Sequence, residues 1–185
     1  MNKKISQSNV VVESELLEDE LLDIVNDQDE VIETMVRSQA YAQNKLASLR
    51  AVWLLIKNQD GKFWIPRRQS TKKILPNALD GSAVGHVSSG ETYEESMIRE
   101  VAEELNIDIS TMPYTYVGKL TPAQGAICFI QIFELQVPND FIIDYNKNDF
   151  SEFFWLSKEE IVAKITAGEK AKESLIRIMH KFYND

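Results

Sequence analysis

The sequence predicts an α+β protein. Short apolar runs closed by hairpin turn signals alternate with helical patterns. An amphipathic helix spans about Thr92 to Leu105, and two more helices fit the C-terminal end. Taken in order, residues 1–20 are polar and increasingly acidic, with Glu13, Glu15, Glu18, Asp19 and Glu20 around Leu16 and Leu17. Such a composition buries little surface and reads as a flexible acidic tail. Residues 21–185 read as one domain that includes an N-terminal hairpin over 21–36, where LLDIV and VIETMV flank the polar turn Asn26 to Glu30. Ala51 to Ile56, the turn Asn58-Gln59-Asp60-Gly61 and Lys62 to Pro66 form a second hairpin, with Asp60-Gly61 as its turn signal. A short strand is expected around Ala83 to Val87. Further strands are expected over Tyr114 to Lys119, Ala126 to Val137 and Phe153 to Leu156. Ser157 followed by acidic residues resembles a helix N-cap, and Ala171 to Tyr183 carries apolar residues at helical spacing.

Bulk composition narrows the function. The chain of 185 residues has 29 acidic and 20 basic side chains, a formal net charge of −9, so its field repels long polyanions and argues against nucleic acid as a partner. The single cysteine, Cys128, lies in an apolar run and reads as a buried reduced thiol. Neither a signal-peptide core nor a membrane-length apolar stretch is visible, so the expectation is a cytoplasmic protein without a membrane partner. The N-terminal hairpin is compatible with a homodimer or a lid.

Chemistry concentrates between Gly85 and Ile107. Gly85 is followed after five residues by Glu91 and, seven residues later, by Arg99-Glu100-Val101-Ala102-Glu103-Glu104-Leu105-Asn106-Ile107. On a helix Glu100, Glu103 and Glu104 stand at i, i+3 and i+4, so the three carboxylates share one side. Composition alone would leave this as a solvated acidic face. Ile98, Val101 and Leu105, however, form an opposing apolar face that can pack against a sheet. Glu91, Glu95 and Arg99 step by four, which suits Arg99 to being held by an acidic partner in a positioning role.

This pattern resembles the Nudix box. The resemblance implies a mixed β-sheet sandwiched between helices and a Mg²⁺-dependent enzyme, Mn²⁺ being an alternative. It also implies cleavage of a pyrophosphate bond by metal-activated water. By the same likeness Glu100, Glu103 and Glu104 are the metal ligands, together with the carbonyl of Val84. The catalytic candidates are Glu100, Glu103 and Arg99, joined by Glu152, which precedes the Trp155-containing strand. The late glycine of the box is Asn106 here, a residue that tolerates the left-handed cap conformation.

Outside the box, Trp64-Ile65-Pro66-Arg67-Arg68, Lys72-Lys73, Pro76, Leu79-Asp80 and Gly85-His86-Val87 resemble the Nudix subgroup of isopentenyl-diphosphate isomerases and their hydrolase relatives. The likeness implies that Arg68 and Lys72 bind a diphosphate, with Arg67, Lys73 and His86 as weaker candidates; solubility is the competing role for the basic four. The isomerases need a cysteine where Val84 stands and a later glutamate that Gln124 to Ile127 does not provide. They also need histidines beyond His86 and His180, the only two in the chain. The expected partner is therefore a small phosphorylated substrate, most naturally a nucleoside di- or triphosphate or a related derivative. Isomerisation and non-catalytic ligand binding are the alternatives. Phe63 and Phe129 are candidates to stack a base, with core packing as the competing role.

Overall fold

The computed structural model describes residues 19–184; the acidic tail expected over 1–20 lies, for residues 1–18, outside the described residues. Strands β1 (Leu21–Val25) and β2 (Val31–Val36) form the expected antiparallel hairpin, Leu21 facing Val36 across it. Asn26 shapes the turn, because its side-chain oxygen accepts the N–H groups of Gln28 and Glu30, each at 3.0 Å. β2 runs directly into a short helix, α1 (Arg37–Ala42), which has no counterpart in the sequence reading: six residues are too few for a periodic signal. Asp19 and Glu20 already dock on it. Asp19 accepts the Ser38 N–H at 3.1 Å, and the Glu20 carbonyl accepts that of Arg37 at 2.8 Å.

The remaining strands are β3 (Arg50–Asn58), β4 (Phe63–Arg68), β5 (Ala83–His86), β6 (Tyr114–Leu120), β7 (Phe129–Val137) and β8 (Phe150–Leu156). They make one mixed sheet in the order β6-β7-β3-β4-β8, with β5 also paired to β3. β3 and β7 are parallel and the other pairs antiparallel. β7 starts later than the sequence suggests, because Ala126 is bound into a turn by its N–H to the Thr121 carbonyl at 3.2 Å. β8 starts earlier, at Phe150, which pairs with Arg68 across a register shift.

Helices α2 (Tyr93–Leu105), α3 (Lys158–Thr166) and α4 (Glu173–Phe182) cover the sheet. The alternation along β3 decides which face each helix takes. Val52, Leu54 and Ile56 meet α2 through Met97, Val101 and Leu105. Ala51, Trp53 and Leu55 belong to a second cluster with Ile161 of α3, Leu175, Ile178 and Met179 of α4, and Leu22, Ile24 and Met35 of the hairpin. Every one of these β3 side chains is buried, which is why β3 reads as an unbroken apolar run. Each large aliphatic side chain removed from water contributes roughly 1.5–3 kcal/mol. On α2 Val101 and Leu105 are buried as the spacing predicts, but Met97 takes the place expected for Ile98, which is half-buried at the edge.

Both ends of α2 are specified locally. Thr92 and Glu95 form a reciprocal capping box, which satisfies two otherwise orphaned N–H groups. Asn106 takes the left-handed conformation at φ 54, ψ 33, and its Nδ2 donates to the Asp144 carbonyl at 2.5 Å. The substitution of asparagine for the box glycine is thus accommodated at the helix terminus.

Candidate active site

β5 lies antiparallel to β3, with Gly85 opposite Val52 and Val84 opposite Trp53, and turns Gly85 towards α2. A Cβ at Gly85 would fall 1.9 Å from Cδ of Glu100. The glycine is therefore what lets the Glu100 carboxylate lie directly on the strand backbone. One turn further along α2, Glu104 Oε2 accepts the Val84 N–H at 3.0 Å. Arg99 braces this arrangement, donating to Glu91 at 3.0–3.2 Å, to Glu100 at 2.7 Å, and to the His86 carbonyl and Ser88 Oγ, each at 3.2 Å. The expected acidic partner of Arg99 is Glu91; Glu95 is occupied in the helix cap.

The inner carboxylates are electrostatically crowded. Burial, followed by the neighbouring Asp80 and Glu100 carboxylates, pushes Glu104 up to about 8. Burial also raises Glu100, with Arg99 opposing and Glu103 adding to the rise. Asp80 is buried as well, and its Oδ2 meets Arg68 Nη1 at 2.9 Å and Lys172 Nζ at 2.8 Å.

The structure brings together Val84, Gly85, His86, Arg99, Glu100 and Glu104, and joins Arg68 to them through Asp80. It separates others that the sequence groups with them. Glu103 leaves the shared carboxylate face: its side chain is 60% exposed and reaches Arg99 at 3.6 Å, because the helix turns it outward from the two carboxylates facing β5. Arg67 is bonded to Glu152 at 2.6 Å and Glu169 at 2.7 Å. Lys72 is paired with Asp149, and Lys73 is exposed. Phe63 and Phe129 are core residues, 2% and 5% exposed.

Other residues at this site carry no sequence signal. Tyr41 Oη lies 3.4 Å from His86 Nε2, and Glu20 lies 3.9 Å from Nδ1. The hairpin segment and α1 thus form a wall beside His86. Burial and the cations Arg37 and Lys172 lower His86 to about 4, so its imidazole is neutral at physiological pH. The open groove between α3 and α4, lined by Lys158, Val162, Thr166 and His180, contains none of these groups.

Among the described residues, no three His, Cys, Asp or Glu side chains converge as a ready-made cation site. The chemistry of the donor set still fits a hard cation. Two part-buried carboxylates lie on adjacent helical turns, one against a strand backbone where a Cβ would exclude it, and hard divalent ions take oxygen ligands.

A glutamate-bearing helix laid on a glycine of the neighbouring strand, within a mixed sheet covered on both faces, defines the Nudix class. The family profile of the NUDIX domain matches residues 47–178, and the chain belongs to the Nudix hydrolase family. It is 43% identical over 165 residues to an uncharacterized Nudix hydrolase of Nostoc sp., covering 89% of this chain and 96% of the relative. It is 38% identical over 168 residues to a Nudix hydrolase of Deinococcus radiodurans, covering 90% and 96%. The crystal structure of the Deinococcus radiodurans protein DR0079 matches with a TM-score of 0.83 at 38% identity, over 89% of this chain and 100% of that one. An Ap4A hydrolase of C. elegans, at 19% identity and a TM-score of 0.53 over 73% of this chain and 95% of that one, shares the fold alone. Glu20, Arg37 and Tyr41 all precede the matched family region. Among the described residues, no helix is long and apolar enough to cross a membrane.

Proposed function

We propose that this chain is a cytoplasmic pyrophosphohydrolase that uses Mg²⁺, with Mn²⁺ as a substitute. It would cleave a phosphoanhydride in a nucleoside di- or triphosphate or a related nucleoside-diphosphate derivative. The observation that carries this reading is the part-buried pair Glu100 and Glu104, placed against Gly85 and Val84, with Glu104 crowded by the Asp80 and Glu100 carboxylates. Carboxylates held at such an electrostatic cost mark functional sites. Glu100, Glu104 and the Val84 carbonyl would hold the cation, with Glu103 contributing from the rim. When bound, the cation would supply charge neutralisation on the phosphates and a lowered pKa for an attacking water.

The residues of the chain do the positioning. Arg99 fixes Glu100 through its 2.7 Å bond while Glu91 restrains the guanidinium from the other side. Glu100 and Glu103 are the preferred candidates to accept the proton of the attacking water, ahead of Glu152, whose described ion-pair partner is Arg67. The valine at position 84 favours hydrolysis over isoprenoid isomerisation, which would call for a cysteine there. Retention of both Glu100 and Glu104 favours turnover over mere ligand binding.

Mg²⁺-dependent phosphate release would be measured across nucleoside diphosphates, nucleoside triphosphates, dinucleoside polyphosphates, sugar nucleotides and isoprenoid diphosphates. Glu104→Gln should lower the best rate roughly 100- to 1000-fold, comparable to losing one transition-state charge contact. It should melt no lower than the wild type, because glutamine can still accept the Val84 N–H and is neutral, as a carboxyl pushed up to about 8 largely is at pH 7. Undiminished turnover in this variant would remove Glu104 from the mechanism.

A further inference from the structure

The segment entering α4 is stitched to the loop ahead of β5. Leu79 donates its N–H to the Lys170 carbonyl at 2.8 Å and accepts that of Lys172 at 2.9 Å, a parallel bridge centred on Ala171. The bridge sets Lys172 beside Asp80, with Nζ 2.8 Å from Oδ2 and 5.8 Å from the centre of the Trp53 ring. Trp53 pairs with Val84 across β3 and β5, and Val84 donates its N–H to Glu104 at 3.0 Å, so the backbone pairing links the ammonium's station to the strand on which the carboxylate pair sits.

The two cations on Asp80 are not equivalent. Arg68 directs its other donors to the Ile74 carbonyl at 3.0 and 3.3 Å and keeps 13% side-chain exposure. Its guanidinium is committed to holding the loop and Asp80. Lys172 keeps 21% exposure and has one ion-pair partner among the described residues. An ammonium has three donors, so Lys172 can retain Asp80 and still bind an incoming anion.

We propose that Lys172 is the cation that contacts the substrate diphosphate, engaging one phosphate while the neighbouring phosphate lies over Glu100 and Glu104, with Arg68 and Asp80 as positioning residues that hold the ammonium in place. The proposal rests on the pyrophosphohydrolase reading above and deepens it. It places the main protein-supplied phosphate contact on the C-terminal segment instead of on Arg67, Lys72 or Lys73.

Isothermal titration calorimetry in Mg²⁺ buffer would test it with two probes that resist cleavage, α,β-methylene-ADP and methylenediphosphonate. Loss of one charge-assisted contact corresponds to about 10- to 100-fold in affinity, so Lys172→Met should weaken both probes by that factor. Lys172→Arg should stay within about fivefold of wild type, and Lys62→Met should bind normally, since Lys62 lies 3.8 Å from Glu160 and away from the site. If circular dichroism shows Lys172→Met to be unfolded, Lys172→Gln carries the same expectation. Equal binding by folded wild-type and Lys172-substituted proteins overturns this proposal while leaving the hydrolase reading intact; so does a loss confined to the nucleotide probe, which would place Lys172 on the nucleoside. A wild type that binds neither probe and releases phosphate from no substrate overturns both.

Discussion

Two groups of carboxylates flank the 86–91 loop and are treated in opposite ways by the fold. On the hairpin, Asp29 accepts from Arg50 Nε at 2.5 Å, from Tyr93 Oη at 2.9 Å and from Lys119. Asp23 accepts from Ser89 Oγ at 2.6 Å, Thr34 Oγ1 at 3.1 Å and the Gly90 N–H at 3.2 Å. Burial would raise both, but these hydrogen bonds outweigh it and both lie below the ordinary aspartate value. On α2, Glu104 receives one backbone N–H and faces two other carboxylates. Saturated carboxylates fasten the extension to the domain. Crowded ones raise the cost of the folded state, the pattern expected of carboxylates at a functional site.

The sharpest way to break this contrast is to disturb the crowded side without touching a carboxylate. Gly85→Ala places a methyl group where Glu100 Cδ stands 1.9 Å away, and the other side of that contact is fixed backbone. Glu100 must swing off β5 and pull Arg99 with it. We expect the rate to fall at least about 100-fold, in the range for loss of one positioned charge, with the fold retained. Steady-state kinetics beside a thermal melt would decide: near-normal kcat in a folded Gly85→Ala protein would show that Glu100 does not need its seat on the strand.

The saturated side should answer in stability. Asp29→Ala leaves Arg50 and Lys119 without their shared partner and detaches the hairpin turn from β3, β6 and α2. The expected cost is about 2–3 kcal/mol, or roughly a 4–12 °C drop in Tm for a chain of this size. Because the folded-state pKa of Asp29 is depressed, its contribution is complete above the unfolded value of 3.8 and is lost as pH falls through the lower folded value. Melting curves from pH 7 to pH 3 should therefore show the gap between wild type and variant closing at the acidic end. A gap independent of pH would mean that the ionised carboxylate is not what secures the hairpin.

The same distinction explains what the sequence could reveal. Local features were legible: the hairpin turns at Asn26 and Gly61, the N-cap at Ser157, and the spacing that seats Glu100 and Glu104 on one side of α2. Partnerships made through tertiary structure were not. Arg67, Lys72 and Lys73 look alike in a basic loop, yet Arg67 meets Glu152 from 85 residues away and Lys72 meets Asp149 from 77. His86 takes its aromatic neighbour Tyr41 from 45 residues upstream, on a helix too short to announce itself. Lys172 gains its place only because Ala171 bridges to Leu79. Glu103 shares the helical spacing of its neighbours, but which of the three carboxylates face inward depends on where β5 docks.

Glu152 provides the gentlest probe, a third kind of carboxylate that is neither saturated nor crowded. Its side chain is 51% exposed and holds Arg67 at 2.6 Å, while Arg67 also has Glu169 and the Asn77 carbonyl. Removing its charge leaves Arg67 partnered, and exposed ion pairs contribute about 0–1 kcal/mol. Glu152→Gln should therefore shift stability by less than about 1 kcal/mol and hold kcat within about threefold of wild type. A pH–rate profile supplies the stricter criterion. If Glu152 were the general base, its loss would both depress kcat and erase the acidic limb of the profile; if it only braces Arg67, the limb stays unchanged. Loss of that limb in Glu152→Gln would move the proton-accepting role off α2 and confine the crowded pair to metal binding.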